Sequence, residues 1–372
     1  MLYLDNAATT KINSEVLNEM LKELEHYGNS EAKFYEQAEN AKKSIKLARR
    51  KVAHIINAKS DDEIVFTSGA TEANNLVLKG TVLSSPLEHK KIIISAIEHS
   101  SIYDTCNYLK SCGITISIIP VNAQGQIDIG ALEKEIDNNT VLVSIIAVNN
   151  EIGTIQDLHA IDRICAQKKV ILHTDATQAI GKIKINVQEY EALHYVTFTA
   201  HKIYGPKGVG CLYVKNDDNG IKQNLTPLLH GGEQECNLRA GTLPNMLIVG
   251  FGKACEIAER DFEENHRKSM ELEKILINKF KKAFNNKICI NNEFSNRVPG
   301  ILNIRFVGFN NLVLLKTMSP IIAASTGSAC AVSKPSRILK AIGLSDDIIS
   351  ESIRISCSPY MNLDDLNEID KL

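Results

Sequence analysis

In the string FTAHKIYGPKGVG, Lys202 follows an apolar run by two residues, beside His201, and precedes a turn shaped by Gly205, Pro206, Gly208 and Gly210. A lysine at the end of a strand is ordinarily a solvated surface residue. Held in a tight turn among apolar strands, its amine can instead lose its proton and form a Schiff base with an aldehyde. HTDATQ puts Asp175 and Gln178 just past another apolar run. An aspartate there reads either as a turn or N-cap residue or as the carboxylate that keeps a pyridinium nitrogen protonated. IEHSS places His99 past a third run, and FTSGATEANN sets Ser68, Gly69, Ala70 and Thr71 between a strand and a helix. Backbone N–H groups and the helix dipole at such a junction favour a phosphate. The plainer alternative is a glycine turn with Thr71 as N-cap. Cys330 lies in ASTGSACAVSKPSRIL, a stretch of small residues that reads as a loop around a thiol; a buried packing cysteine is the ordinary alternative.

These residues need elements to hold them. Short β-branched runs recur at 63–69, 91–97, 114–121, 140–148, 169–176, 194–200 and 208–214, seven candidate strands in all. Most are continuously apolar, as strands of a largely parallel sheet covered on both faces are, and helical segments such as 70–80, 100–111 and 155–168 separate several of them. The expected core is α/β, and in such open sheets ligands bind beyond the carboxyl ends of the strands. A polar helical stretch at 30–58 precedes the core, and 244–285 reads as one long helix with Pro244 near its start. Beyond Asn286 the strands shorten, which predicts a smaller α+β domain whose boundary falls inside that helix.

Composition narrows the function. With 42 Lys and Arg against 44 Asp and Glu and a net charge of −2, no global field is available to capture nucleic acid or an anionic membrane. Aromatic residues at 5%, with no Trp, leave few platforms for stacking bases. The longest apolar runs, KIIISAI and VLVSIIAV, are strand-sized and do not predict a membrane span. Nine cysteines without a C-x-x-C pair, behind a start that lacks a signal peptide, predict a reducing, cytoplasmic setting. No histidine pairs with Cys or Glu at zinc-site spacing, so no metal site is expected.

Taken in order, YLDNAATT, TSGATEANN, VNNEIG, DATQ, AHKIYGPKG, the HGG-E-x-x-LRAGT pattern and GSAC resemble the pyridoxal-phosphate enzymes of the class V aminotransferase-like group, specifically cysteine desulfurases of the NifS/IscS type. The resemblance runs from residue 3 to residue 358. It implies an aspartate aminotransferase-like fold, with a large cofactor domain at 13–255 carrying a mostly parallel seven-stranded sheet. A smaller α+β domain, 1–12 and 256–372, would carry the cysteine loop. It further implies that Lys202 holds the pyridoxal phosphate and moves the Cα proton, that His99 stacks on the ring and serves as acid/base, and that Asp175 pairs with the ring nitrogen. Gln178 and Asn150 would meet the phenolic oxygen, Asn150 also the substrate carboxylate, while Ala70, Thr71, Thr199 and His201 would hold the phosphate. Arg354 would fork onto the substrate carboxylate, Thr242 would serve the neighbouring subunit's phosphate in a homodimer, and Cys330 would take sulfur from L-cysteine as a persulfide for an acceptor protein, an iron–sulfur scaffold or a thiolation enzyme.

The chain departs from the family pattern in three places. GNSEAKF lacks the Pro and His usual in that N-terminal loop, AVSK between Cys330 and Pro335 is about two residues short, and the sequence given stops soon after SIRISCS, without the tail by which some relatives dock a scaffold. The alternatives are a selenocysteine lyase or cysteine C–S lyase on the same fold, and a scaffold protein that has lost activity.

Overall fold

The computed structural model describes residues 1–217, 219–327 and 335–372. The chain opens with strand β1 (Leu2–Tyr3) and helices α1 (Ser14–Glu23) and α2 (Glu36–His54). The central sheet follows: β2 (Ile64–Thr67), β3 (Lys91–Ser95), β4 (Thr115–Ile119), β5 (Thr140–Ser144), β6 (Leu172–Asp175), β7 (Leu193–Thr199) and β8 (Gly210–Val214). All seven expected strands form, in the spatial order β2-β8-β7-β6-β5-β3-β4. Pairings are parallel except at β8, which runs antiparallel to both neighbours.

Burial explains the two sequence patterns within the sheet. Ile92, Ile93 and Ile94 are fully buried because helices cover both faces, whereas edge strand β4 is only partly covered and leaves Ile118 exposed. Helices α3 (Ala70–Ser84), α4 (Ser100–Ser111), α5 (Ile129–Glu135) and α6 (Leu158–Lys168) link the parallel strands. Asp157 caps α6 by accepting from the Ala160 N–H at 3.0 Å.

The segment 244–285 is not one helix. Helix α7 (Asn245–Arg260) ends at Asp261, and α8 (Phe262–Ala283) starts immediately after it. The two apolar stripes serve different cores: Ile248, Phe251 and Cys255 join the core of the large sheet, while Leu272, Leu276 and Phe280 join a second one. Helix α7 lies close against α2 because Gly252 has no side chain; a Cβ there would sit 2.7 Å from Ala48 Cα. The second core is roofed by the antiparallel strands β9 (Ile288–Ile290), β10 (Ile301–Phe306) and β12 (Ser352–Ser356), and β1 pairs in parallel with β11 (Ile322–Ala323). Residues from both chain ends, such as Leu2, Leu4 and Ile369, share this core.

Candidate active site

A cavity of about 410 Å³, large enough for a small cofactor, opens at the carboxyl ends of β2, β6 and β7. Its walls bring together Ala70, Thr71, His99, Asn150, Asp175, Gln178, Thr199, His201, Lys202 and Arg354. Thr242 is exposed and does not line it. Cys330 lies outside the described residues, but Gly327, three positions before it, forms part of the wall.

Lys202 sits in a single helical turn directly after β7, and its Nζ donates to the carbonyls of Ala7 and Ala8 at 2.6 and 2.7 Å. Burial, reinforced by the positive charges of Arg354 and Lys182, pushes its amine down from an ordinary 10.5 to about 7. A large neutral fraction at physiological pH follows. Asp175, at the end of β6, is 2% exposed; Oδ1 accepts from the Thr177 N–H at 3.0 Å and Oδ2 from Asn74 Nδ2 at 2.9 Å. It is therefore a turn residue and a buried carboxylate facing the cavity at once. Gln178 donates from Nε2 to Ala7 O at 2.8 Å and accepts from Lys182 Nζ at 3.1 Å, which fixes its amide.

At the other end of the cavity, α3 begins at Gly69, whose lack of a side chain leaves the first N–H groups of the helix uncapped. Thr71 does not cap it. The turn can lie over β8 because residue 210 is glycine; a Cβ there would be 2.7 Å from Gly69 Cα. Glu72 holds the turn by accepting from the Ser68 N–H at 2.8 Å and from Arg239 Nε at 3.0 Å. His201 approaches Thr9 Oγ1 at 3.2 Å, and burial with the Lys202 and Lys207 charges drives it down to about 4. The Thr199 hydroxyl donates to Val209 O at 2.9 Å, so its proton is directed at the chain rather than into the cavity.

Arg354, 1% exposed on β12, donates from Nη2 to Asp5 Oδ1 at 2.7 Å and Ser325 Oγ at 2.9 Å, and from Nη1 to Asn150 O at 3.1 Å. Its Nε has no partner among the described residues. Beside it Glu151, 3% exposed, accepts from Ser336 Oγ at 2.6 Å, and a Cβ on Gly327 would fall 2.5 Å from the same carboxylate oxygen. Residues on both flanks of the Cys330 segment thus converge on one side chain.

The sequence model of the aminotransferase class-V family matches residues 2–369. The chain belongs to that family. Among class-V proteins it is 39% identical over 364 residues to cysteine desulfurase IscS of Buchnera aphidicola subsp. Acyrthosiphon pisum, covering 96% of this chain and 88% of that protein. It is 37% identical over 362 residues to a human cysteine desulfurase, covering 96% and 78%. Two solved structures are also similar: a NifS-like protein with TM-score 0.91 and 33% identity over 100% of this chain and 97% of that one, and SspA in complex with cysteine, with TM-score 0.85 and 35% identity over 97% and 100%. The chain is a pyridoxal-phosphate enzyme of the NifS/IscS cysteine desulfurase type with the aspartate aminotransferase-like fold.

The donor set of this class-V cavity fits that cofactor. An amine that is half neutral near pH 7, a buried carboxylate and an uncapped helix N-terminus answer an aldehyde, a ring nitrogen and a phosphate in turn. Several residues of the site were not singled out from sequence. Asp5 and the Ala7 and Ala8 carbonyls come from YLDNAATT, where only the motif as a whole carried a signal. Glu151 follows Asn150 in VNNEIG, and Asn74 ends TSGATEAN, both inside quoted strings but without an assigned task. Glu98 adjoins His99, fully buried, and burial raises its carboxyl to about 8. No helix among the described residues is long and apolar enough to cross a membrane.

Proposed function

We propose that this enzyme takes L-cysteine, moves its sulfur to Cys330 as a persulfide, releases alanine, and hands the sulfur to an acceptor protein. The observation that carries the proposal is the meeting, in one cavity, of the near-neutral amine of Lys202, the buried carboxylate of Asp175 and the buried guanidinium of Arg354. Bound pyridoxal phosphate supplies an electron sink for negative charge at the substrate Cα. Lys202 would hold the cofactor, and its neutral amine would take the Cα proton. Asp175 keeps the ring nitrogen protonated, Gln178 and Asn150 serve the phenolic oxygen, and Ala70, Thr71, Thr199 and His201 hold the phosphate at the start of α3. For Thr199 this requires its hydroxyl to turn away from Val209 O. Arg354, fixed by Asp5 and Ser325, orients the substrate carboxylate together with Asn150, a task suited to a planar, permanently charged group.

His99, in the cavity wall, would lie against the cofactor ring and carry a proton there. Its Nδ1 accepts from the Ser101 N–H at 3.2 Å, which leaves the ring proton on Nε2, and burial lowers its affinity for a second one. Cys330 attacks the substrate sulfur as a thiolate, since the thiol is a weak nucleophile. The place of Gly327 in the cavity wall supports that assignment. Thr242, exposed and three residues beyond Arg239, which pairs with Glu72 of the Ser68 turn, is proposed to reach the phosphate of a second subunit in a homodimer. The core that Leu2 and Leu4 share with Leu272, Phe306 and Ile369 supports a division into 13–255 and 1–12 with 256–372. The acceptor is proposed to be an iron–sulfur scaffold or a thiolation enzyme, in a reducing cytoplasm; the eight described cysteines, all free, support that compartment.

The test is mass spectrometry of the intact enzyme after L-cysteine is added, with and without candidate acceptors. The expected result is one extra sulfur on Cys330 that moves to the acceptor. A Cys330→Ser variant that released sulfide, pyruvate and ammonia from L-cysteine at the rate at which the wild type consumes it would replace the persulfide step with C–S lyase chemistry.

A further inference from the structure

Behind the cavity, a hydrogen-bonded chain of buried polar side chains runs in one direction. Ser144 Oγ lies 2.8 Å from His173 Nδ1, and His173 Nε2 lies 3.3 Å from Thr197 Oγ1. Thr197 donates to Asn74 Oδ1 at 2.5 Å. Asn74 Nδ2 donates both to Asp175 Oδ2 at 2.9 Å and to Ser101 Oγ at 2.8 Å. Ser101 Oγ lies 2.9 Å from His99 Nδ1. Ser144, His173, Thr197 and Asn74 are all fully buried.

The chemistry of the groups sets the polarity of this chain. A carboxamide nitrogen only donates and its oxygen only accepts, and an oxygen turned toward the Asp175 carboxylate would be repelled, so Asn74 has one workable orientation. The Ser101 hydroxyl, receiving a proton from Asn74, directs its own single proton at His99 Nδ1. With the Ser101 N–H also aimed there, Nδ1 of the neutral ring faces two donors and the proton is held on Nε2, across the ring from α4. Among the described residues, no other side chain hydrogen-bonds to both arms.

We propose that Asn74 is a positioning residue: one buried amide holds the Asp175 carboxylate and, through Ser101, keeps the His99 proton on Nε2, so that both groups are set together. This inference rests on the roles proposed above for Asp175 and His99. A filler of the same volume would preserve packing and lose both effects, which separates positioning from a merely structural part.

The experiment uses the full chain with ¹⁵N-labelled histidine rings, stripped of cofactor and titrated with pyridoxal phosphate. In the wild type the His99 ring nitrogens are expected to report the Nε2-protonated form. Asn74→Leu is expected to shift those signals toward the Nδ1-protonated form and to weaken pyridoxal phosphate binding by about tenfold or more, the loss of one hydrogen bond to a charged group. Asn74→Asp, the same size with two acceptor oxygens, is expected to bind more weakly still. Ser101→Ala cuts one arm only and is expected to alter the His99 signals. Should Asn74→Leu fail to fold, Asn74→Ser, too short to span both partners, replaces it with the same readouts. Folded Asn74 variants with wild-type affinity and wild-type His99 signals would overturn the proposal. A wild-type chain that bound no pyridoxal phosphate at Lys202 would instead count against the reading of the site itself.

Discussion

The neutral amine of Lys202 is the property on which the site depends most, and it can be measured without turnover. A fall from 10.5 to about 7 corresponds to about 5 kcal/mol against the charged form. At pH 7 about half of the Lys202 amines are then neutral, against roughly one in three thousand for an ordinary lysine. Trace acetylation of the cofactor-free enzyme across a pH series, read peptide by peptide in a mass spectrometer, reports that fraction with the surface lysines as internal standards. Lys202 is expected to reach half-maximal labelling near pH 7. Burial is the leading cause and the Arg354 charge the next, so Arg354→Gln is expected to raise the midpoint without returning it to 10.5. Asp175 acts in the opposite sense, and Asp175→Asn is expected to lower it. The reasoning is refuted if Lys202 labels in step with the surface lysines.

Two further predictions concern stability. Glu98 titrates at about 8 because it is buried, so between the ordinary carboxylate range and pH 8 the folded state binds the proton that the unfolded state has released, and stability falls as pH rises through that window. Glu98→Gln, which imitates the protonated form, is expected to gain on the wild type in melting temperature from about pH 5 to about pH 8; a constant gap would contradict it. Glu235, whose side chain is 1% exposed, accepts from Arg49 Nη1 and Nη2 at 2.8 and 2.5 Å and from the Phe66 N–H at 2.6 Å. Glu235→Gln is expected to cost about 3 to 5 kcal/mol in denaturant unfolding by stranding Arg49, and a loss under about 1 kcal/mol would show the pair to be solvated.

The elements that can be read locally were legible in the sequence. KIIIS and TVLVS are buried throughout and apolar at their centres because both sheet faces are covered, and residues at strand ends then had to point at one place. The break at Asp261 was not legible, because the charged run around it suits one exposed helix as well as two that serve different cores. Nor was Gly69 recognisable as the cap in place of Thr71, since the uncapped helix start depends on how closely β8 passes beneath the turn.

What stayed hidden has a common physical cause, which is that each such residue acts through a partner far away in the chain. Asp5 reaches Arg354 across 349 residues, Asn74 reaches Asp175 across 101, and Glu151 reaches Ser336 across 185. Single residues of these types are common on any surface, and only the folded chain shows that each is paired. The residues legible from sequence, Lys202, Asp175, His99 and Arg354, are those that line the cavity; those missed hold them in place. A charged or titrating group in a cavity needs a fixed orientation and a fixed protonation state, and both are set by the buried neighbour rather than by the group itself. Conserving Lys202 and Asp175 alone would therefore not reproduce this site: without Asp5, Asn74 and the Ala7 and Ala8 carbonyls, the same side chains would be free to turn toward solvent and recover their ordinary chemistry.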